Sequence, residues 1–424
     1  MRVGLVSWGT EGDVRPFFAL ASTLAARGHD VRVEYVNVEG RTFERLAEAC
    51  GIHAEAFGGQ YFIDNARALE RRSSESLRHA SPPKQFELII EDLMDPVADA
   101  ILERSIALAK RSDVLVGHVL AHPVATAAEH VGVPFVSLAL QPLFRSRAYP
   151  PAGAPAMGPS FHLLLWKLAD WVMRRALGPR IAAQRARLSM PKAPPFDPSR
   201  FGHDQRCAVA VSPTLFPRPN DWNERISVTG FLALDAATQR WEVPSDIEAF
   251  LSAGPPVFAS FGSMFSLSEE LSRASVQAFV GAAKLADARV IVQCPAAFRP
   301  TTYDADRVLF IDRAPHSELF PRCAAVVHHG GAGTTQSALL AGQPSIVVPH
   351  AADQFYWADV LYERGAAAKP LRRKKLTARA LAERIRWALD RPSLRARAAE
   401  LGASLAREDG CTSTAEFIER AVES

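Results

Sequence analysis

Cysteine is scarce in this chain. Five occur in 424 residues, at Cys50, Cys207, Cys294, Cys323 and Cys411, and no two have C-x-x-C spacing. An odd, scattered set argues against a disulfide framework or a zinc site and fits a reducing cytoplasm. Long apolar runs are missing too. No segment reaches the ~18 uninterrupted apolar residues that a membrane-spanning helix needs. The apolar run after Arg2 ends near Trp8, too short for a secretory leader, and reads as a first strand. Charge of one sign is also lacking: Lys and Arg number 49, Asp and Glu 46, and the formal net charge is +3. Without a concentrated basic face, nucleic acid is not an expected partner. No internal repeat is found. What remains is 48% hydrophobic and 22% charged, ordinary for a folded protein. The length exceeds one ordinary core, so two domains are expected.

Short apolar runs at 3–7, 30–35, 114–117 and 134–140 read as strands. Helical patterns at 16–27, 41–50 and 124–130 lie between them. The alternation restarts with strands at 257–261, 289–293, 308–311, 325–328 and 345–348. Helices are expected there at 271–286, 333–341, 353–363, 376–389 and 393–406. Such alternation implies right-handed βαβ units and parallel sheets, whose ligands sit at the carboxyl ends of the strands. Pro-rich stretches at 141–159 and 191–198 suit neither a regular helix nor a central strand. Between them, 162–177 is a strongly apolar helix candidate, and 213–230 reads as a linker. The expected fold class is α/β, with two Rossmann-like doubly wound domains facing a central cleft. The expected division is an N-terminal domain 1–215, a linker 216–230, a C-terminal domain 231–405 and a C-terminal helix 406–424 that packs back on the first domain.

The richest segment is 326–365. An apolar strand ends at His328-His329, Gly330-Gly331-Ala332-Gly333 follows, and Thr334-Thr335 opens a helix. The first N–H groups of a helix lack internal partners and carry partial positive charge, and glycines let a phosphate approach the backbone. The bland alternative is a tight turn with Thr as the cap and the histidines merely packed. Downstream, Gly342-Gln343-Pro344 turns into a second strand, and Asp353-Gln354 stands just past it. A carboxylate beside an amide at a strand end suits sugar hydroxyls. Asp353 equally suits a helix N-cap.

These residues, H-H-G-G-A-G-T-T, then A-G-x-P, then D-Q, resemble the donor signature of Leloir glycosyltransferases with the GT-B fold. The class is the one holding plant secondary-metabolite, antibiotic and sterol glucosyltransferases. Asp353 to Trp357 (DQFYW) is more similar to the sterol and rhamnolipid branches than to the antibiotic branch. The resemblance implies that His329 and the backbone of Gly331, Ala332, Gly333 and Thr334 meet a diphosphate, and that Asp353 and Gln354 meet the transferred sugar. Phe261-Gly262-Ser263-Met264 resembles the family's F-G-S loop, which would bring Gly262 and Ser263 to the phosphates; a plain turn is the alternative. The segment 312–316 resembles the one that holds the nucleobase, so Arg313, Ala314 and His316 become candidates. Arg313 replaces the Trp of the plant branch, and a guanidinium plane also stacks on a pyrimidine ring. Ser337 aligns with a ribose-binding Glu of that branch, which leaves uridine and thymidine donors both open. UDP-glucose is the default co-substrate. No further cofactor is implied, and no D-x-D motif is suited to holding a metal between phosphates.

Transfer with inversion needs a base for the acceptor hydroxyl. The segment 9–16 (GTEGDVRP), read as a loop between the first strand and first helix, supplies Asp13, with Thr10 and Gly12 as acceptor-binding candidates. It is similar to the loop of sterol and antibiotic glycosyltransferases whose Asp is assigned as base, which makes Asp13 the catalytic candidate. Plant members use a His, and none occurs before residue 28. Asp13 as a helix cap is the alternative. His118 and His122, near a strand end, line the acceptor pocket, assist Asp13 or are buried structural histidines. Phe144 and Trp166 are further acceptor candidates, from the Pro-rich stretch and the apolar helix. With Phe161, Leu164, Leu165 and Trp171 they suggest a lipophilic acceptor, core packing being the plain reading of each. Lys167, Arg174 and Arg175 accompany that apolar face, so transient contact with a membrane surface is also expected. The expected protein is a cytoplasmic, metal-independent, inverting hexosyltransferase, monomeric or homodimeric. Its rivals are a nucleotide-sugar epimerase of the same fold and a non-catalytic auxiliary protein.

Overall fold

The computed structural model describes residues 1–79, 81–192, 196, 205–234 and 241–423, so the Pro-rich stretch 191–198 lies largely outside the described residues. The chain forms two compact units. Met1–Leu69, Arg78–Thr238 and Asp409–Ser424 make the first; Glu70–Leu77 and Gln239–Glu408 make the second.

The first unit holds a seven-stranded parallel sheet. Its strands are β1 (Arg2–Gly9), β2 (Asp30–Asn37), β3 (His53–Ala56), β4 (Val114–His118), β5 (Phe135–Ala139), β6 (Arg206–Val209) and β7 (Ile226–Val228). Their order is β3-β2-β1-β4-β5-β6-β7. Strand β1 is a nearly continuous apolar run because helices cover both faces of the sheet. On one face, Phe17, Phe18 and Leu20 of the helix Glu11–Ala26 pack with Phe417 and Ile418 of the helix Gly410–Val422. On the other, Ile101 and Leu108 of the helix Ala98–Ala109 pack against Val6 and Leu115. The C-terminal helix is tied by polar contacts as well. Arg27 donates to Glu419 at 2.8 and 2.7 Å, His29 Nε2 lies 2.8 Å from Glu419 Oε1, and the hydroxyls of Thr414 and Thr229 meet at 2.7 Å. The strand order reverses between β1 and β4, which pair with each other, and this switch point is where doubly wound sheets open a crevice.

Three details depart from the expectations. The first helix begins at Glu11 rather than Pro16, so Gly12 and Asp13 are helical rather than in a loop. Thr10 and Asp13 form a reciprocal cap that starts the helix early. The segment 216–230 is no linker: its β7 pairs with β6 and closes the edge of the first sheet. The apolar helix spans Pro159–Arg187, well beyond 162–177, continuing through Pro179.

The second unit holds a five-stranded parallel sheet. Its strands are β8 (Val257–Ala259), β9 (Val290–Gln293), β10 (Val308–Ile311), β11 (Ala325–His328) and β12 (Ser345–Val347), in the order β10-β9-β8-β11-β12. Val276, Phe279, Leu381 and Ile385 pack on one face, and Phe250, Leu319 and Phe320 on the other. Here the order reverses between β8 and β11. The carboxyl ends of those strands deliver Phe261-Gly262 and His328-His329 to one place.

Candidate active site

The second unit's switch point gathers the diphosphate candidates. The helix Ala332–Leu340 follows β11 through Gly330 and Gly331, with Gly331 as N-cap and no side-chain cap. The reading of Thr334 or Thr335 as an N-cap is therefore corrected. The first intrahelical bond runs from Thr335 N to Gly331 O at 2.9 Å. The N–H groups of Ala332, Gly333 and Thr334 thus have no partner within the helix, and the macrodipole leaves partial positive charge there. Each glycine has its own reason. Gly330 has φ +94°, and a β-carbon on it would stand 2.9 Å from Gln354 O and from Val347 Cγ1. A β-carbon on Gly331 would stand 2.6 Å from His329 Nε2. At Gly333 nothing lies within 4 Å of that position, so its open side is available to a ligand.

His329 links the two glycine turns. Its Cε1 lies 3.5 Å from where a Gly262 β-carbon would stand, and its other edge lies against Gly331. Gly262 N donates to Ser260 Oγ at 3.1 Å, which shapes the turn carrying Ser263 into the short helix Gly262–Ser266. Burial pushes the His329 imidazole down to about 4, so it is neutral near pH 7, and its Nδ1 is buried with no hydrogen-bond partner among the described residues. His328 is fully buried. Burial first, then the neighbouring His329 and His316, push it to about 3, and its Nδ1 accepts from Gly330 N at 3.1 Å. His328 is thus a structural brace of the turn.

Asp353 is the N-cap residue of the helix Gln354–Glu363, yet its side chain does not cap. Its Oδ2 instead accepts from Trp357 Nε1 at 3.0 Å, and Trp357 is fully buried. Ala352, just before it, has φ +52°, a left-handed conformation that is costly for alanine and concentrated at functional sites. Gln354 is buried and already engaged. Its Oε1 accepts from His350 N at 2.8 Å and Ala351 N at 3.2 Å, and its Nε2 lies 3.5 Å from Met264 Sδ. Gln354 therefore ties the loop before Asp353 to the loop of Ser263, using both ends of its amide. In the nucleobase segment, Ala314 N donates to Gln293 Oε1 at 3.1 Å and Arg313 is exposed. The ring of His316 stacks on Phe320 at 4.2 Å, which makes it a packing element.

The first unit's switch point gathers the base candidate. Asp13 Oδ2 accepts from Thr10 N at 2.7 Å and from Thr10 Oγ1 at 2.9 Å. Gly9 has φ +137°, and a β-carbon there would stand 2.3 Å from that same oxygen. Asp13 does cap the first helix, and the cap uses only one carboxylate oxygen. Oδ1 faces His118, whose Nε2 stands 3.8 Å away. Leu120 N donates to His118 Nδ1 at 3.3 Å, which leaves the ring proton on Nε2, the atom facing the carboxylate. Burial lowers the His118 pKa, and the Asp13 charge opposes that without reversing it. His122 turns elsewhere: its Nδ1 lies 3.0 Å from Gln184 Oε1, and burial pushes it down to about 4.

The two aromatic acceptor candidates are core residues. Trp166 is 2% exposed and donates to Tyr149 O at 2.9 Å; Phe144 is 5% exposed and packs edge-on against Trp222. Tyr149, which sequence reading passed over, organises this cluster. Its hydroxyl donates to Phe144 O at 2.5 Å and its ring meets Trp166, Phe216 and Trp222.

Residues 3–150 match the glycosyltransferase family 28 N-terminal domain, and residues 277–420 match the erythromycin biosynthesis protein CIII-like C-terminal domain. The O-mycaminosyltylonolide 6-deoxyallosyltransferase of Streptomyces fradiae is 32% identical over 99% of this chain and 97% of its own length. The chain belongs to this family of glycosyltransferases. The glycosyltransferase is also 27% identical to a sterol 3-beta-glucosyltransferase of Arabidopsis thaliana, over 99% of this chain and 68% of that one. The solved structure of the kitacinnamycin glycotransferase superposes with a TM-score of 0.70 at 20% identity, covering 99% and 98% of the two chains. The glycosyltransferase VinC, in complex with DTDP, gives 0.68 at 22% identity over the full length of both. These two likenesses establish the GT-B fold. Full-length similarity to transferases leaves the epimerase and auxiliary readings without support.

A capping role for Asp13 is among the readings the sequence offers; the missed signal was its partner, Thr10. Thr-x-x-Asp before an apolar run is a capping-box pattern, and reading it would have placed Asp13 on the helix with one oxygen committed.

Proposed function

We propose that this glycosyltransferase moves a hexose from a nucleoside diphosphate sugar to a hydroxyl of a lipophilic small molecule, with inversion at the anomeric carbon. The uncapped start of the helix Ala332–Leu340, beside the open face of Gly333 and the neutral ring of His329, carries this reading. That is a preformed anion site: N–H donors and a helix dipole cost no reorganisation as charge develops on a departing diphosphate. The acceptor oxygen forms its bond to the anomeric carbon as the bond from that carbon to the diphosphate breaks. The hydroxyl proton passes to Asp13, on the oxygen its cap leaves open. His118 presents an N–H toward the same carboxylate and orients it. Asp353, anchored by Trp357 beside the strained Ala352, would bind sugar hydroxyls. Gln354 contributes at most its amide N–H groups and otherwise holds the loop.

UDP-glucose is the proposed donor, on the support of the sterol glucosyltransferase relatives. A specific observation favours a second donor. One relative is named for a 6-deoxyallosyl group and one neighbour was solved with DTDP, so a thymidine diphosphate deoxysugar is the competing reading. Natural-product aglycones and sterols are the acceptors suggested by the same relatives. The helix dipole and His329 fill the role a divalent ion plays elsewhere, so the proposed reaction needs no resident metal. A cytoplasmic site of action is proposed from the five free cysteines, four of them buried.

The test is a matrix of UDP- and dTDP-sugars against sterols, polyketides and hydroxy lipids, read by mass spectrometry, with proton coupling at the anomeric centre of any product. A glycoside of inverted configuration, formed in the presence of EDTA, is expected. A retained configuration removes Asp13 as the base acting in a single displacement.

A further inference from the structure

We infer that residues 159–175 of the helix Pro159–Arg187 form a docking face for an anionic membrane surface. Its inner face is already satisfied. His162, Trp166 and Asp170 are buried, His162 Nδ1 lies 2.9 Å from Arg147 O, and Trp166 Nε1 donates to Tyr149 O at 2.9 Å. The outer face carries large apolar side chains instead of the usual polar ones. Leu164 is 60%, Leu168 53% and Trp171 56% exposed, and the spacing of four and then three residues puts them in one stripe. Met157, just before the helix, is 65% exposed. A soluble protein leaves such contiguous apolar surface where something else covers it.

Charge decides what the occupant is. The other exposed positions of this stretch include Lys167, Arg174 and Arg175, interleaved with the stripe along the same face. The one carboxylate among residues 159–175 is Asp170, which is buried on the opposite side. The Arg175 guanidinium lies 5.8 Å from the Trp171 ring centroid, joining cation and interfacial aromatic in one element. Glu87, the carboxylate that interacts with Arg175 from a neighbouring helix, is itself bound by Lys84 at 2.9 Å. Leucine and tryptophan flanked by cations, with no exposed carboxylate among residues 159–175, match the headgroup boundary of an anionic leaflet: the apolar groups enter it and the cations meet phosphates. Among the described residues no helix is long and apolar enough to cross a membrane, so the helix would lie on the surface. The inference is independent of the donor chemistry.

The test is pelleting of the full-length protein with vesicles of phosphatidylcholine alone and with added phosphatidylglycerol. Three variants accompany the wild type: L168E–W171E, K167E–R174E–R175E, and R372E–K374E–K375E as a basic-surface control. Circular dichroism and a thermal melt check that each is folded, which the exposure of these side chains predicts. Wild type and control should bind the anionic vesicles and weaken with salt, and each variant on the helix should bind about tenfold less or worse. Equal binding by the helix variants overturns the inference, as does loss of binding in the control or no preference for anionic lipid. A dimer in solution that L168E–W171E dissolves, without vesicle binding, assigns the face to a second copy and overturns it as well.

Discussion

His118 Nε2 stands 3.8 Å from Asp13 Oδ1, while Thr10 holds the other oxygen of that carboxylate with two hydrogen bonds. The distance is too long for a hydrogen bond and short enough for a charge to be felt. Asp13 therefore has a fixed plane and one oxygen facing an N–H donor. Asp13→Asn should lower kcat by about 10²–10⁴, the usual worth of a general base, with nucleotide affinity unchanged. His118→Ala should lower kcat by less, because the proposed base stays in place. Steady-state kinetics beside calorimetry separates the two, and wild-type turnover by Asp13→Asn removes the residue from the mechanism.

Gly330 is constrained by its backbone conformation and its close neighbours. With φ +94° and Gln354 O 2.9 Å from its β-carbon position, Gly330→Ala should destabilise the second unit by about 1–3 kcal/mol. Chemical denaturation measures this directly. A fully stable variant would show that the turn relaxes freely.

Acid should loosen the second unit through its histidines. Burial lowers His328 to about 3, His329 to about 4 and His350 to about 3. The unfolded chain takes up protons at its ordinary value, near 6.5, before the folded one does. Stability therefore falls as pH drops from about 6.5 toward 4, by at most about 1.4 kcal/mol per pH unit for each such histidine. Melting curves between pH 7.5 and 5 should show the loss. A flat profile would mean that these rings are solvated.

The C-terminal helix depends on Glu419. Hydrogen bonds from Arg27, with a further contribution from His29, push its carboxyl down to about 2. The depressed carboxyl contributes stability above its unfolded value near 4.5 and loses it as pH falls toward 2. Glu419→Gln should lower the melting temperature at neutral pH and leave the melt near pH 2 unchanged. The size is modest, within about 1 kcal/mol for a partly exposed cluster.

Much of the fold was legible because its signals are local. Apolar runs such as Val3–Trp8 and Ala325–His328 mark buried parallel strands, and glycine turns mark where they end. The turn at 328–335 could be read with its reason, because a strand, a glycine turn and a helix start follow one another directly. Strand β3 was missed because three of its four residues, His53, Glu55 and Ala56, are exposed, which erases the apolar run. Strand β7 is only three residues long and is defined by pairing with β6 rather than by its own pattern. Phe144 and Trp166 read both as acceptor contacts and as core, because aromatic content does not say which way a ring faces. Only Tyr149, brought between them by the chain's path, shows that they point inward. The engagement of the Gln354 oxygen is equally unreadable, since the backbone groups that occupy it belong to a loop whose shape no motif encodes.

The proposed transfer requires a diphosphate seated against the N–H groups of Ala332, Gly333 and Thr334. Gly333→Ala is the sharpest probe, because nothing within 4 Å of the new carbon opposes it in the free protein. The measurement is calorimetric titration of UDP and dTDP into wild type and variant, with a thermal melt of each. The prediction is a melting temperature unchanged or slightly raised, since alanine suits a helix better than glycine, and a nucleotide affinity lower by about tenfold or more. Equal affinity in the two proteins would contradict the placement of the diphosphate at this helix.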